Sequence, residues 1–392
     1  MRLVFVHDGP LFCDKNGKFH EFSYHGLYER YRYLADDIVF LMRVEPLKEG
    51  ESYNLVPDEV EVVGFHNFKS PKLYLKYKGA AERTIAAEIA KADIAVLRDS
   101  TSSDIALKYV KKKGIPYIHE CVGCNWDSMW NHGFLGKILA PHAFFKARRI
   151  IGEAPFVYYV TNEFLQRRYP SKGVTVGCSN VVIQPVQDEV LTARLERNKK
   201  INKEKKIVLG TAAAIDVRYK GQEHVIKAIK QIEELGYQVE YRLAGGNRSN
   251  STFLSDLVEA EDVRDQVVFL GSLSSVQMSD YYDNIDIYIQ PSKQEGLPRS
   301  VIEAMSRGCP VLGTKVAGIP ELIQTENLFK KGSETAIVKA FVHMMEENLD
   351  QISKENFNKA KEYTNDILTA RRQKFYDQFL ETYGLPSPEK KQ

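Results

Sequence analysis

The chain of 392 residues has little cysteine, little net charge and no long apolar run, and each shortage closes off a class of protein. Five cysteines, an odd number, are too few for a disulfide framework in a chain of this length and read as reduced thiols. Cys121 and Cys124 form a C-x-x-C, but no second pair follows at zinc-finger spacing, so two small buried thiols account for them. With 54 Lys and Arg against 52 Asp and Glu, the net charge is only +2. That balance makes no case for binding a phosphate backbone, no DNA- or RNA-reading motif is visible, and nucleic acid is excluded as an expected partner. No apolar stretch approaches the roughly 20 residues of a membrane-spanning helix. The opening MRLVFVHDGP turns polar too soon for a signal peptide, so a cytoplasmic location is expected. No internal repeat of fixed period is present.

What the chain does have is an ordinary soluble composition, 43% hydrophobic and 27% charged, at a length beyond that at which one core usually stops growing. Two domains are therefore expected. Strand-like stretches (Leu3 to Val6, Ile38 to Val44, Ile94 to Leu97, Ile115 to Ile118, Phe156 to Thr161) alternate with helix-like ones near Tyr24 to Leu34, Ala80 to Lys91 and Ser102 to Lys113. That alternation predicts βαβ units and a mostly parallel sheet. A charged segment from Asp188, with RNKKINKEKK at its core, interrupts the pattern and reads as an interdomain linker. A second α/β series starts at KIVLGTA (Lys206 to Ala212) and runs through strands at Val239 to Leu243 and Val267 to Leu270.

The most informative stretch is Ser292 to Ile323, SKQEGLPRSVIEAMSRGCPVLGTKVAGIPELI. Ahead of it IDIYIQ reads as a buried strand, and VIEAMSR has apolar positions at helical spacing, so the unit is strand, turn, helix. Pro298 suits the first helical turn, while Gly308 and Pro310 supply the stop. The backbone N–H groups of Gly296, Leu297, Arg299 and Ser300 then form a seat for a diphosphate or sugar hydroxyls, with Glu295 at its mouth.

These residues resemble a known family. Glu295-Gly296-Leu297-Pro298 through Glu303-Ala304-Met305, then Gly308-Cys309-Pro310-Val311 and Gly318-Ile319-Pro320-Glu321, resemble retaining glycosyltransferases of the GT-B fold, the group 1 or family 4 class. The match covers roughly Lys206 to Ile323. The resemblance implies an α/β fold of two Rossmann-like domains facing a cleft. It divides the chain into an acceptor-binding domain (1–187), a linker (188–205), a nucleotide-sugar-binding domain (206–352), and a C-terminal helix with tail (353–392) that crosses back to the first domain. It assigns Glu295 to the transferred sugar, Glu303 to the ribose, and the loop Gly296, Leu297, Pro298 and Arg299, through its amides, to the sugar and phosphate of the nucleotide sugar. Lys220, in a K-G pair, falls where the family places a diphosphate-binding lysine. The arginine common six positions earlier is Ala214 here, which leaves the planar fork of Arg218 as a substitute. No D-x-D follows a strand at a plausible site, so no metal and no cofactor are expected beyond the nucleotide-diphosphate sugar itself.

On the acceptor side the loop after the first strand makes His7, Asp8 and Gly9 candidates. His119 ends the strand Ile115 to Ile118, where relatives place a histidine near the reacting sugar, although its spacing from the preceding proline is shorter than theirs. It joins Glu295 and Lys220 as a catalytic candidate, with Asp127 a weaker acceptor-side one. The stretch Phe134 to Ile151 mixes apolar Phe134, Leu135, Ile138, Leu139, Phe144 and Phe145 with Lys137, Lys146, Arg148 and Arg149. It reads either as a basic amphipathic surface for anionic lipid at the inner face of the membrane or as two packed helices broken at Pro141. The expected activity is transfer of a sugar to a glycan or lipid-linked acceptor, in surface polysaccharide biosynthesis. The competing functions are a non-catalytic nucleotide-sugar-binding protein, favoured by Ala214, and a GT-B sugar-nucleotide epimerase.

Overall fold

Two sheets carry the molecule, and the computed structural model describes residues 1–21, 26–48, 53–246 and 252–388. The first sheet is built from β1 (Arg2–Cys13), β2 (Phe19–Glu21), β3 (Asp37–Pro46), β4 (Asn54–Leu55), β5 (Val60–Phe65), β6 (Ile94–Arg98), β7 (Tyr117–Cys121), β8 (Phe156–Tyr159) and β9 (Val174–Gly177). Its order β5-β3-β1-β6-β7-β8-β9 is parallel throughout, and β2 and β4 add a short antiparallel edge beyond Phe12. Leu3 to Val6, Ile38 to Met42 and Ile94 to Leu97 are buried without interruption, as parallel strands covered on both faces must be. The covering helices are α1 (Leu27–Tyr31), α2 (Pro71–Lys91), α3 (Thr101–Lys113), α4 (Asn125–Trp130), α5 (Gly133–Glu153) and α6 (Phe164–Arg168). Ser70 and Ser100 cap α2 and α3 by accepting from the amides of Leu73 and Ser103, the side-chain contact that frees a helix start from water.

Four local expectations change. The first strand does not end at Val6: β1 runs to Cys13, with a register shift against β3 between His7 and Pro10. His7, Asp8 and Gly9 therefore lie at a bulge inside a strand, held by pairing to distant β3 that no local pattern reveals. The helix near Tyr24 to Leu34 shortens to α1, with Tyr24 and His25 outside the described residues. β7 starts two residues later than expected and extends to Cys121, which moves His119 from a strand end to its middle. Pro141 does not break α5. Pro141 and Lys137 are both exposed, so the Lys137 carbonyl that loses its helical donor faces water.

The second sheet comprises β10 (Lys206–Ala212), β11 (Gln238–Ala244), β12 (Val267–Gly271), β13 (Ile287–Gln290), β14 (Val311–Thr314) and β15 (Leu328–Phe329), all parallel in the order β12-β11-β10-β13-β14-β15. Chain order reverses between β10 and β13, and in open α/β sheets ligands bind at the carboxyl ends of the strands flanking such a reversal. Around it pack α7 (Asp188–Asn198), α8 (Gln222–Glu234), α9 (Thr252–Ala260), α10 (Ser275–Asp283), α11 (Arg299–Ser306), α12 (Glu334–Glu346) and α13 (Leu349–Lys361). Residues 188–205 hold the helix α7, whose buried Arg194 donates to the carbonyls of Ile285 (2.7 Å), Tyr282 (2.6 Å) and Arg307 (3.2 Å) and so ties it to the second domain. The last helix, α14 (Asn365–Thr382), crosses back to the first domain, as expected. Its Phe375 and Phe379 rings lie 5.6 and 5.1 Å from that of Phe156 on β8. Among the described residues no helix is long and apolar enough to cross a membrane.

Candidate active site

β13 delivers the chain at Gln290 into the turn Pro291 to Pro298, and α11 begins at Arg299. Pro298 is the cap residue just ahead of the helix, with φ −71° and ψ 115°. The amides that follow have no partner within the helix. Glu295 is fixed from three sides. Its Oε1 accepts from Lys220 Nζ at 2.7 Å, from the Ser292 hydroxyl at 2.7 Å and from Gln290 Nε2 at 3.0 Å. Gln290 is in turn held by the hydroxyls of Tyr288 (2.8 Å) and Ser300 (3.3 Å), which donate to its Oε1. All of this sits on buried side chains of the strand end, so the carboxylate has a single well-supported position.

Lys220 reaches Glu295 because its loop is pinned to the same strand exit. The turn Arg218–Lys220 follows β10 and closes on Gly221 at φ 77°. A Cβ on Gly221 would overlap the Pro291 carbonyl, so both the left-handed backbone and the close approach require glycine. The Lys293 amide donates to the Tyr219 carbonyl at 2.7 Å and completes the join. Glu303, two turns away from Glu295 along the loop and helix, accepts at Oε2 from the Tyr282 hydroxyl at 2.8 Å. Burial and the facing Glu303 carboxylate push that hydroxyl well above the usual tyrosine range.

The first domain supplies the opposite wall. A cavity of about 280 Å³ opens between Asp99, Cys124, Asn125, Asp127 and Ser128 on one side and Tyr219, Lys220, Gln294, Glu295 and Gly296 on the other. The walls meet closely: a Cβ on Gly296 would overlap the Val122 carbonyl, and Asn131 Nδ2 donates to Gln294 Oε1 at 2.6 Å. Glu321 ties the domains from behind, accepting at its two oxygens from the amides of Asn162 (2.7 Å) and Phe164 (2.6 Å) at the start of α6.

The structure brings Glu295, Gly296, Lys220 and Asp127 together in one cavity and sets other expected residues apart from it. His119 is buried in β7, its Nε2 2.7 Å from Asp99 Oδ1, so the aspartate carboxylate, not the imidazole, faces the cavity. Asp99 was missed from the sequence. Its signal was its place directly after β6 in the run LRDSTSS, at the carboxyl end of a parallel strand. Asp8 is committed to capping α3, accepting from the amides of Thr101 and Ser102, each at 3.0 Å, and from the Ser102 hydroxyl. Burial, with Arg98 and Lys69 nearby, pushes the His7 imidazole well below its ordinary pKa; His7, Asp8 and Gly9 do not line the cavity. Arg218 stacks on Phe253 at 3.8 Å, and the exposed Arg299 stands on the first turn of α11. Neither lines the cavity, nor do Leu297, Pro298 and Glu303. All five thiols are free, Cys124 taking a 3.0 Å contact from Arg168 Nε. Among the described residues no group of three or more His, Cys, Asp or Glu gathers as a metal site.

Known proteins are similar to this chain in sequence and in fold. The family profile of Glycosyl transferases group 1 matches residues 193–364. The chain is 30% identical over 345 residues to Protein CapJ of Staphylococcus aureus, covering 86% of this chain and 85% of that one. It is 30% identical over 111 residues to the Amylovoran biosynthesis glycosyltransferase AmsK of Erwinia amylovora, covering 27% of each chain. Among solved structures, Anabaena HepE in complex with UDP-glucose superimposes with a TM-score of 0.64 at 15% identity, covering 98% of this chain and 99% of that one. That likeness is one of fold, two Rossmann-like domains facing a cleft, the GT-B arrangement.

Proposed function

The chain belongs to the glycosyl transferases group 1, and from that premise we propose that it moves a sugar, with retention of anomeric configuration, from a nucleoside-diphosphate sugar to a glycan or lipid-linked acceptor in surface polysaccharide biosynthesis. The observation that carries this reading is the Lys220–Glu295 pair, 2.7 Å apart, which opens on the interdomain cavity beside the free amides at the start of α11. As the glycosidic bond breaks, negative charge gathers on the departing diphosphate. In this reading Lys220 and the amides of Gly296, Leu297, Arg299 and Ser300 receive that charge, as donors fixed by the fold can do without reorganising at the moment of transfer. Glu303 takes the ribose hydroxyls and Glu295 the transferred sugar. From the opposite wall Asp99 and Asp127 meet the acceptor, with His119 positioning Asp99. Lys220 carries the cationic share without Arg218, and no divalent ion is assigned.

The α4–α5 hairpin supports an acceptor arriving from lipid. α4 contributes Asn125, Asp127 and Ser128 to the cavity, while α5 exposes Phe134, Leu135, Ile138, Leu139 and Phe145. A protein with that face rests peripherally on the inner leaflet. Ala214, at the position where the family resemblance implies an arginine, is the one feature favouring a non-catalytic nucleotide-sugar binder. A screen of sugar nucleotides by thermal shift, followed by nucleotide release with an acceptor present, separates the two. Turnover is expected, with the donor's anomeric configuration kept in the product by NMR and the rate unaffected by EDTA. Inversion, or activity lost to chelation and restored by manganese, would sink the mechanism.

A further inference from the structure

A second concavity lies on the first domain, away from the interdomain cavity. It measures about 510 Å³ and runs between α2, α3 and α5. Its cations come from all three helices: Lys78 on α2, Lys108 and Lys111 on α3, Lys146 and Arg149 on α5, against the carboxylates of Asp104 and Glu153. Glu82, 3.1 Å from Lys78 and 3.9 Å from Lys108, adds a third carboxylate, so five positive charges stand against three and leave two in excess. Three of the cations hold carboxylates, Lys111 the exposed Glu153 at 2.9 Å, and Lys146 and Lys78 the partly buried Asp104 at 2.5 Å and Glu82 at 3.1 Å. The lysine ends of these pairs are one-third to one-half exposed, so the ammonium groups can reach a phosphate from the solvent side.

Exposed apolar side chains stand next in the chain to the lining residues Tyr74 and Lys146. Leu75 on α2 is 88% exposed, Phe145 on α5 is 67% exposed, and the α5 row continues to Phe134 at 78%, about 16 Å along the helix at 1.5 Å per residue. Tyr74, on the neighbouring position of α2, lines the groove itself. Apolar side chains that enter the acyl boundary, beside cations at the depth of the phosphates, match the surface of an anionic bilayer. A soluble anion would have no use for these exposed apolar side chains.

We propose that this groove seats the phosphate headgroups of anionic phospholipids and, with Leu75 and the exposed row of α5, makes α2 and α5 together the membrane-facing side of the first domain. The proposal deepens the peripheral contact put forward above and rests on it, adding a second helix and a defined headgroup site. Its test is sedimentation of the full chain with vesicles of phosphatidylcholine alone and of phosphatidylcholine mixed with phosphatidylglycerol. The protein is expected to pellet only with the mixed vesicles and to be released as salt rises. Changing Lys108→Gln, Lys111→Gln and Arg149→Gln together should lower partition about a hundredfold, the product of roughly fivefold for each cation. Free glycerol 1-phosphate in excess should leave the protein bound; release by it would overturn the bilayer assignment in favour of a free phosphate. Loss of binding in Phe134→Ser with Ile138→Ser but full binding in the triple glutamine variant would keep the membrane contact and overturn the groove. Affinity for UDP, measured on the same variants, should stay at the wild-type value and so report an intact fold. Vesicle binding without any nucleotide binding in the wild type would fail the transferase reading while leaving this one standing.

Discussion

Replacing Glu295 by glutamine separates sugar positioning from nucleotide binding, because the structure predicts effects of opposite sign. The side chain is one-tenth exposed, and the Lys220 ammonium lies 2.7 Å from its Oε1. If the carboxylate holds the transferred sugar, neutralising it removes one charge-assisted hydrogen bond, about 1.5 to 3 kcal/mol. At 1.4 kcal/mol per decade this is a loss of roughly 10- to 150-fold in kcat. Affinity for the nucleoside diphosphate should move the other way. Lys220 is engaged by Glu295, and an incoming diphosphate must compete for it. A pair open to solvent on one side contributes up to about 1 kcal/mol, so freeing the lysine tightens binding by up to about fivefold. Initial rates with the sugar nucleotide found by screening, and calorimetry with the free diphosphate, give the two numbers. Equal falls in rate and affinity would refute the division of labour, since the carboxylate would then be serving the nucleotide.

Glu303→Gln should weaken diphosphate binding about tenfold to a hundredfold, the range of a lost charge-assisted bond to ribose; an unchanged dissociation constant in the folded variant would remove Glu303 from the site. Tyr282→Phe deletes the 2.8 Å bond that orients Glu303 and should cost about fivefold in the same assay, near 1 kcal/mol, with no effect being the contrary result. Gly296→Ala puts a methyl group into the Val122 carbonyl and holds the two walls apart, so kcat/KM should fall at least about tenfold while the melting temperature changes little; full activity would mean the loop does not work against Val122. Glu321→Ala strips two acceptors from the start of α6, an effect comparable to a lost helix cap, about 0.5 to 2 kcal/mol. It should lower thermal stability and speed proteolysis between the domains, and identical digestion patterns would contradict the interdomain tie.

Much of the second domain was legible because its signals are local. β10 occupies the residues that KIVLGTA marked out, Lys206 to Ala212. Glu295, Glu303 and the Gly308 turn all belong to one strand-turn-helix unit whose punctuation needs no distant contact. The first domain read less well where pairing overrode local pattern. The polar HDGP segment looks like a loop, yet pairing of His7 and Pro10 to β3, across the bulge between them, keeps it within the strand. Pro141 looks like a helix end, yet α5 continues because its solvent face can satisfy the freed carbonyl.

By itself the sequence determined the alternation of strands and helices, the family, and the loop that carries Glu295, since periodicity, turn chemistry and motif spacing are properties of neighbouring residues. The tertiary structure alone decided what faces that loop. Asp99 enters the site, and His119 retreats behind it, because β6 and β7 lie side by side and end at the same edge of the sheet. Asp8 leaves the site because α3 brings its first amides to it across the sheet. The join between Lys220 and Glu295 spans 75 positions of chain. It exists because β10 and β13 are neighbours at the reversal of strand order, a neighbourhood that hydrogen bonding and burial create and that no stretch of sequence contains.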